Sequence, residues 1–178
     1  MEIQKLHSVI AMLDEKSTHI FINLRRELST TDEHYDNTLP HITISMYEKY
    51  IDLNELIQWT KQIAENHFKF QVIYKIVGYF PHNCIMAVPA FSPKLYELYK
   101  DHHQKYDECC RPYNMFKNGE WLPHTGIMYA NKKEDAIENI GKIAEIFPWI
   151  EAEIVSLRIS EFANNTFNKI IEFELKNL

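Results

Sequence analysis

The chain has 178 residues, of which 46% are hydrophobic and 25% charged, so its composition is that of a folded globular protein and excludes a disordered one. A chain of this length buries enough apolar surface to fold as one domain. The formal net charge is −6 and basic residues occur in no run longer than a doublet, which argues against binding of long duplex nucleic acid. The net charge does not exclude binding of a small phosphate-bearing ligand in a local pocket.

Cysteine spacing and hydropathy predict a protein of a reducing compartment. Cys109 and Cys110 are adjacent and form a poor disulfide pair, and with Cys84 they provide no CxxC spacing for zinc. The N-terminal apolar run is too short for a signal peptide, and no apolar stretch reaches 18 residues. We therefore expect a cytoplasmic protein without membrane association. We also expect a monomer, although no sequence feature determines the oligomeric state.

The first half of the chain alternates predicted strands and helices. Ser17 is the predicted N-cap of the first helix. The segment HITISM alternates strictly, so His41, Thr43 and Ser45 face solvent or a cleft, with Ser45 expected at the surface. The predicted elements are a strand at 8–13, a helix from residue 17, a loop at 29–40, a strand at 41–46, a helix at 52–67 and strands at 68–80 and 84–88.

The second half repeats this alternation. Ser92 and Pro93 predict the cap and first position of a helix that runs to about residue 110. The elements that follow are a polar loop at 111–121, a strand at 124–129, a helix at 133–147, a strand at 154–162, a turn at 164–165 and a strand at 169–175. Because hairpins stand near both ends of the chain, we predict an α+β fold with largely antiparallel sheets.

A tripeptide repeat indicates an internal duplication. Leu39-Pro40-His41 recurs as Leu122-Pro123-His124, and apolar positions of the next helix and strand recur at the same offset of 83 residues. We expect residues 1–178 to form one domain whose halves are related by an approximate two-fold axis. That axis would bring the strands at 41–46 and 124–129 together, with their polar faces lining one cleft.

Two histidines in one cleft can act as a general acid and a general base. The ordinary histidine pKa is near 6.5, so a neutral and a protonated copy can coexist around neutral pH. In displacement at phosphorus, one histidine takes a proton from the nucleophile and the other gives a proton to the leaving oxygen. A threonine hydroxyl two residues after a histidine would donate a hydrogen bond to the phosphate.

Two His-x-(Ser/Thr)-x motifs, each on a strand after a proline and far apart in sequence, resemble those of the two-histidine (2H) phosphoesterase superfamily, which includes 2′-5′ RNA ligase-like proteins and cyclic nucleotide phosphodiesterases. The resemblance covers essentially the whole chain. It implies two lobes of largely antiparallel sheet with helices outside and a central cleft. It also implies that His41 and His124 are catalytic, that Thr43 binds phosphate, that no metal or other cofactor is needed, and that the substrate is a nucleotide or RNA end with a 2′,3′-cyclic phosphate.

The second motif departs from this pattern, because Gly126 stands where the family has Ser or Thr. Thr125 is adjacent, but strand alternation sends it to the opposite face from His124. Loss of one such donor typically lowers the rate about 10²–10³-fold. Either close approach of phosphate to the Gly126 backbone or a bulge that turns Thr125 inward would compensate. Without compensation, the chain would bind a nucleotide or RNA end with weak or no catalysis. Because its backbone could approach the phosphate, Gly126 is a candidate substrate-binding residue together with Thr43.

Other polar and aromatic residues carry weaker signals. Adjacent histidines on a helix point about 100° apart, so His102 and His103 are expected on a solvated helix face rather than in a metal site. Trp121 and Tyr129 flank the second motif and would either stack on a base or pack between the two halves. We expect two cations of the preceding loop, Arg111 and Lys117, to be solvated.

Overall fold

The structure is a computed structural model that describes residues 6–28, 38–130, 132–163 and 166–177. In these ranges the strands are β1 (Leu6–Leu13), β2 (His41–Met46), β3 (Phe70–Phe80), β4 (Cys84–Pro89), β5 (Thr125–Tyr129), β6 (Ile150–Ala163) and β7 (Thr166–Glu174). The α-helices are α1 (Glu15–Glu27), α2 (Leu53–Asn66), α3 (Pro93–His102) and α4 (Lys133–Ile146). The predicted α+β class is confirmed.

All seven described strands belong to one sheet in the order β2-β1-β6-β3-β4-β5, with β7 beside β6. Every pair of named strands is antiparallel, as the sequence predicted. Exchanging β1 with β4, β2 with β5 and β3 with β6 reverses the six-strand path, so that the order reads the same from its other end, as an internal two-fold axis requires. We propose on this ground that the domain arose by internal duplication.

Helix α1 begins earlier than the sequence predicted. Its N-cap is Asp14, whose carboxylate accepts hydrogen bonds from the backbone N–H of Ser17 at 2.9 Å and from the Ser17 hydroxyl at 2.7 Å. The prediction of Ser17 as the cap was therefore wrong. A hydrogen bond from outside the helix explains why Asp14 rather than Ser17 is the N-cap, since the Glu153 N–H of β6 also donates to the Asp14 carboxylate, at 2.7 Å. Asp14 thus stabilises the helix start and anchors it to the centre of the sheet.

Helix α3 ends at His102, about eight residues before its predicted end. Tyr106 adopts a left-handed backbone conformation with φ of 62°, and the chain doubles back through short 3₁₀ turns between residues 107 and 118. This segment crosses the edge of β2, where the Arg111 N–H donates to the Met46 carbonyl at 2.8 Å. The predicted polar loop at 111–121 is therefore partly packed, and Met115 is buried within it.

Most other predicted elements lie within a few residues of the observed ones. The strand at 41–46 has its predicted limits, whereas β6 begins four residues earlier than expected. Residues 29–37 of the predicted loop and the predicted turn at 164–165 lie outside the described residues. No helix in the described ranges is long and apolar enough to cross a membrane.

Candidate active site

The two Leu-Pro-His tripeptides hold their histidines in the same way. His41 opens β2, and its Nδ1 donates a hydrogen bond to the Leu39 carbonyl at 2.7 Å. His124 immediately precedes β5, and its Nδ1 donates to the Leu122 carbonyl, also at 2.7 Å. A carbonyl only accepts, so Nδ1 carries a proton in both rings. When each ring is neutral, Nε2 is therefore the basic nitrogen.

The strands that carry the two motifs lie side by side, although they stand at opposite ends of the six-strand path. Five spacings of about 4.8 Å would separate β2 from β5 by roughly 24 Å in a flat sheet. Instead the Thr125 hydroxyl, next to His124, donates to the His41 carbonyl at 3.1 Å. Trp121 Nε1 donates to the Thr43 carbonyl at 3.0 Å. The sheet is thus curved until its two edges meet, which places both histidines at one junction.

A phenylalanine ring packs against each histidine. Phe167, near the start of β7, meets His41 edge-on with ring centroids 4.8 Å apart. Phe80, at the end of β3, lies 5.6 Å from His124 at a tilt of 37°. Both phenylalanines stand near the turn of a hairpin, β6–β7 for Phe167 and β3–β4 for Phe80. The two contacts restrict the imidazole orientations and remove water from the rings.

This environment lowers the pKa of both histidines. Removal of water disfavours the charged imidazolium and lowers the pKa of His41 to about 4; the Leu39 carbonyl acts in the opposite direction, and the positive charges of Arg25 and His124 lower the pKa further. Burial also lowers the pKa of His124, against the raising effect of the Leu122 carbonyl. The expected state, with one histidine neutral and the other protonated, therefore requires a pH below neutrality or a bound anion.

Arg25 is a buried residue of the site that the sequence analysis missed. It is 5% exposed, and its guanidinium donates to the Gly126 carbonyl from Nη2 at 2.8 Å and from Nε at 3.3 Å. Its Nη1 donates to the Thr38 carbonyl at 2.6 Å. One side chain of α1 therefore connects the second motif to the segment that leads into the first. The sequence pattern could have predicted its burial, because Arg25 lies on the same buried face of the helix as Phe21 and Leu24.

The candidate phosphate-binding residues of the two motifs differ. Thr43 is partly exposed and shares the His41 face of β2, between the fully buried Ile42 and Ile44. Gly126 presents no side chain, and its carbonyl is occupied by Arg25. The compensating route through Thr125 is contradicted by the structure: its hydroxyl is fully buried, donates to the His41 carbonyl and therefore accepts from Tyr74 Oη at 2.7 Å. The Gly126 backbone route stays a prediction.

Three polar residues expected at the surface are buried. Ser45 is fully buried, and the register between β1 and β2 shifts between Thr43 and Ser45, so the strict alternation of the strand does not extend to Ser45. His102 is fully buried and His103 is 6% exposed, so the predicted solvated helix face was wrong. The His103 Nε2 donates to the Ile44 carbonyl at 3.0 Å, and its Nδ1 lies 2.7 Å from the Asp107 carboxylate. These bonds attach the crossing segment to β2.

The other residues singled out in the sequence lie in various surroundings. Trp121 stacks on Tyr99 with ring centroids 3.9 Å apart, whereas Tyr129 is 38% exposed. Lys117 pairs with Glu108, and Arg111 Nη1 donates to the Tyr113 hydroxyl at 3.0 Å. The cysteines are free thiols. In the described part of the chain, no group of three or more His, Cys, Asp or Glu side chains is placed to hold a metal ion.

Comparison with known proteins supports the resemblance seen in the sequence. The family model of the 2′-5′ RNA ligase superfamily matches residues 14–165. TT0787 of Thermus thermophilus superposes with a TM-score of 0.64 at 12% identity, over 98% of this chain and 99% of the other. Escherichia coli LigT, solved in complex with NADP⁺, gives a TM-score of 0.59 at 14% identity over 99% of both chains. Among curated proteins, no significant sequence match was found.

Proposed function

Because the chain belongs to the 2′-5′ RNA ligase superfamily, which confirms the predicted 2H resemblance, we propose that it is a metal-independent phosphoesterase that opens the 2′,3′-cyclic phosphate of a nucleotide or RNA end. The observation that carries the proposal is the matched pair of histidines. Each donates from Nδ1 to the carbonyl two residues earlier, and the two motif strands are joined by a bond from Thr125 to the His41 backbone. The matched Nδ1 bonds, together with the contact between the two strands, support the assignment of the two Nε2 atoms as the proton-transfer groups.

The reaction needs two proton transfers, which two Nε2 atoms supply. One neutral histidine removes a proton from water as the water oxygen forms its bond to phosphorus. The other histidine, protonated, donates its Nε2 proton to the ribose oxygen as the bond from phosphorus to that oxygen breaks. The product is a phosphate monoester beside a free ribose hydroxyl. Which of the two histidines is the base depends on how the ribose is oriented.

The charges around the site assist a substrate anion. The pKa of both histidines is lowered in the free protein, so a bound phosphate raises them again and draws a proton into the site. We assign the Thr43 hydroxyl as a donor to a non-bridging phosphate oxygen. The Gly126 N–H is the candidate donor on the second strand. Related LigT structures hold 3′-AMP and phosphate, which is compatible with a phosphate-binding role for this junction.

The test is hydrolysis of the four nucleoside 2′,3′-cyclic monophosphates in the presence of EDTA. Replacement of His41 or His124 by alanine is expected to lower kcat about 10²–10⁴-fold, because each change removes one proton-transfer group. His19→Ala is the matched control, since His19 is exposed on α1 away from the motifs. Wild-type rates in both site variants, on every cyclic phosphate tested, would exclude the assigned acid–base pair.

One observation favours a second candidate, a protein that binds a nucleotide or RNA end with little or no turnover. Gly126 has no hydroxyl, and that of Thr125 is engaged with Tyr74 and His41. The second strand then offers phosphate only a backbone donor. Calorimetric binding of a cyclic nucleotide without product after long incubation would select this candidate. Product that accumulates in proportion to enzyme concentration would reject it.

A further inference from the structure

An arginine lies on the face of the sheet that carries the first motif. Residues opposite each other in paired strands point to the same face. The register places Ile10 of β1 between Thr43 of β2 and Arg158 of β6, so Thr43 and Arg158 share that face. The neighbours of Arg158 along β6, Leu157 and Ile159, are fully buried in the hydrophobic core on the other face. Arg158 is thus two strands away from the candidate phosphate-binding threonine.

Arg158 belongs to a network with more positive than negative charge. Its Nε donates a hydrogen bond to Oε2 of the Glu172 carboxylate on β7 at 2.9 Å, and its Nη2 lies 2.8 Å from the same oxygen. Lys169 Nζ also lies 2.9 Å from that oxygen, and the Ser156 hydroxyl donates to Oε1 at 2.5 Å. Burial raises the pKa of Glu172, but these hydrogen bonds lower it overall, so the carboxylate is charged at neutral pH. Two cations therefore share one anion.

The guanidinium of Arg158 has donors left for a ligand. A guanidinium carries five N–H donors in a planar fork. In the described part of the chain, every contact of this guanidinium is with Glu172, and Nε and Nη2 make these contacts. The Arg158 side chain is 16% exposed, so a ligand can reach Nη1 although most of the side chain is shielded from water. Forked and partly desolvated donors of this kind suit a phosphate group.

The distance from Thr43 to Arg158 fits the two ends of one nucleotide. Two strand spacings of about 4.8 Å separate the residues by roughly 10 Å at the backbone. In a nucleotide with a 2′,3′-cyclic phosphate, the ribose holds that phosphate at one end and its 5′ oxygen at the other. A phosphate on the 5′ oxygen can therefore lie at Arg158 while the cyclic phosphate lies at Thr43. Arg158 is also close enough for its charge to act on His41, whose pKa is lowered mainly by burial and further by this charge.

We propose that Arg158 binds the 5′ phosphate of the nucleotide whose 2′,3′-cyclic phosphate lies at the two histidines, an inference that rests on the proposed function. In an RNA end this phosphate is the linkage to the preceding nucleotide, whereas a nucleoside 2′,3′-cyclic monophosphate lacks it. Glu172 orients the guanidinium and competes with the ligand for its donors. Arg158 thereby selects RNA ends and 5′-phosphorylated nucleotides over cyclic mononucleotides.

The experiment compares two substrates that differ by one phosphate, adenosine 2′,3′-cyclic phosphate without and with a phosphate on its 5′ oxygen. The measured quantity is the ratio of KM without the 5′ phosphate to KM with it, because any change that acts through the pKa of His41 affects both substrates alike. We expect a ratio of about 10 to 150 in the wild type, the range that corresponds to one charge-assisted hydrogen bond. Arg158→Met should bring the ratio close to one. Arg26→Met is the matched control, since Arg26 is exposed on α1, and it should keep the wild-type ratio.

A second variant separates ligand binding from a purely structural ion pair. Glu172→Gln removes the competing charge but keeps an oxygen acceptor, so it should raise the ratio above the wild-type value. If the pair only joined β6 to β7, the two variants would change the ratio in the same direction or leave it unchanged, and either result would overturn the proposal. If Arg158→Met fails to fold, Arg158→Lys decides, because it keeps the charge beside Glu172 without the fork and must lower the ratio.

Calorimetry separates this inference from the proposed function. If neither substrate is turned over, the proposed function fails, but the two compounds can still be compared as ligands. Tighter binding of the 5′-phosphorylated compound to the wild type, with this preference lost in Arg158→Met, supports the assignment of Arg158. Equal affinities, no measurable binding of either compound to the wild type, or a preference that Arg158→Met keeps would overturn it, whether or not turnover is observed.

Discussion

Replacement of Arg25 by methionine tests how the two motifs are held together. The change keeps a long apolar side chain but removes the donors to the Gly126 and Thr38 carbonyls. A hydrogen bond from a charged donor contributes about 1.5–3 kcal/mol, so loss of the bonds to two carbonyls is expected to lower the free energy of unfolding by about 3–6 kcal/mol. A domain of this kind has only about 5–15 kcal/mol in total.

The same change alters the electrostatics of the site. The positive charge of Arg25 is one of the causes that lower the pKa of His41, after the dominant effect of burial. Arg25→Met should therefore raise the pKa of His41, whereas Arg25→Lys, the control that keeps the charge without the forked donors, should leave it near the wild-type value. Urea unfolding measures the stability, and the pH dependence of the His41 ring proton shift measures the pKa.

The two variants together make the reasoning refutable. A loss of less than about 1 kcal/mol in Arg25→Met would show that the guanidinium does not hold the two carbonyls. An unchanged pKa of His41 in that variant would show that the charge does not reach the ring. If Arg25→Met fails to fold, the lysine variant still decides, because it must be less stable than wild type while the His41 pKa stays low.

Three further outcomes follow from the site and its supports. Because the pKa of both histidines is lowered, the form of the enzyme with one proton on the histidine pair accumulates in acid. We therefore expect kcat/KM to rise as pH falls and to peak below pH 6.5. A maximum at or above pH 7.5 would contradict this expectation. Gly126→Ser should raise kcat about tenfold or more by restoring the missing donor, and an unchanged kcat would show that the second strand does not limit the rate. Asp107→Asn should lower the free energy of unfolding by about 1.5–3 kcal/mol at neutral pH. Burial raises the pKa of Asp107, but hydrogen bonds from the Phe116 N–H and from His103 lower it overall. The stabilisation is therefore present above the ordinary carboxyl pKa and is lost as pH falls through the lowered pKa. A stability difference between wild type and variant that persists below pH 2 in urea unfolding would refute the assignment.

Short-range patterns predicted much of the candidate site. The period-two alternation of β2 correctly put Ile42 and Ile44 in the core, with His41 and Thr43 on the other face. The same rule placed Thr125 away from the His124 face, where its hydroxyl is buried. These assignments succeeded because side-chain direction along a strand depends only on local backbone geometry.

Burial of polar side chains was predicted poorly. Ser45, His102 and His103 were assigned to the surface, yet all three are buried, and the His103 Nε2 donates to the Ile44 carbonyl of β2. Arg25 was passed over because charged residues are rarely buried, although its place in an apolar helical stripe was visible. For Arg25 and His103 the hydrogen-bond partner is distant in sequence, Gly126 for the former and Ile44 for the latter.

The sequence by itself determined the local form of each motif, because Leu-Pro-His builds the same Nδ1 bond to a carbonyl two residues earlier at both positions. Only the tertiary structure decided that these motifs meet. They stand on edge strands of a path six strands long, and the twist of successive strands had to accumulate until Thr125 reached the His41 backbone. Curvature of that kind is a property of the assembled sheet, and no window of sequence contains it.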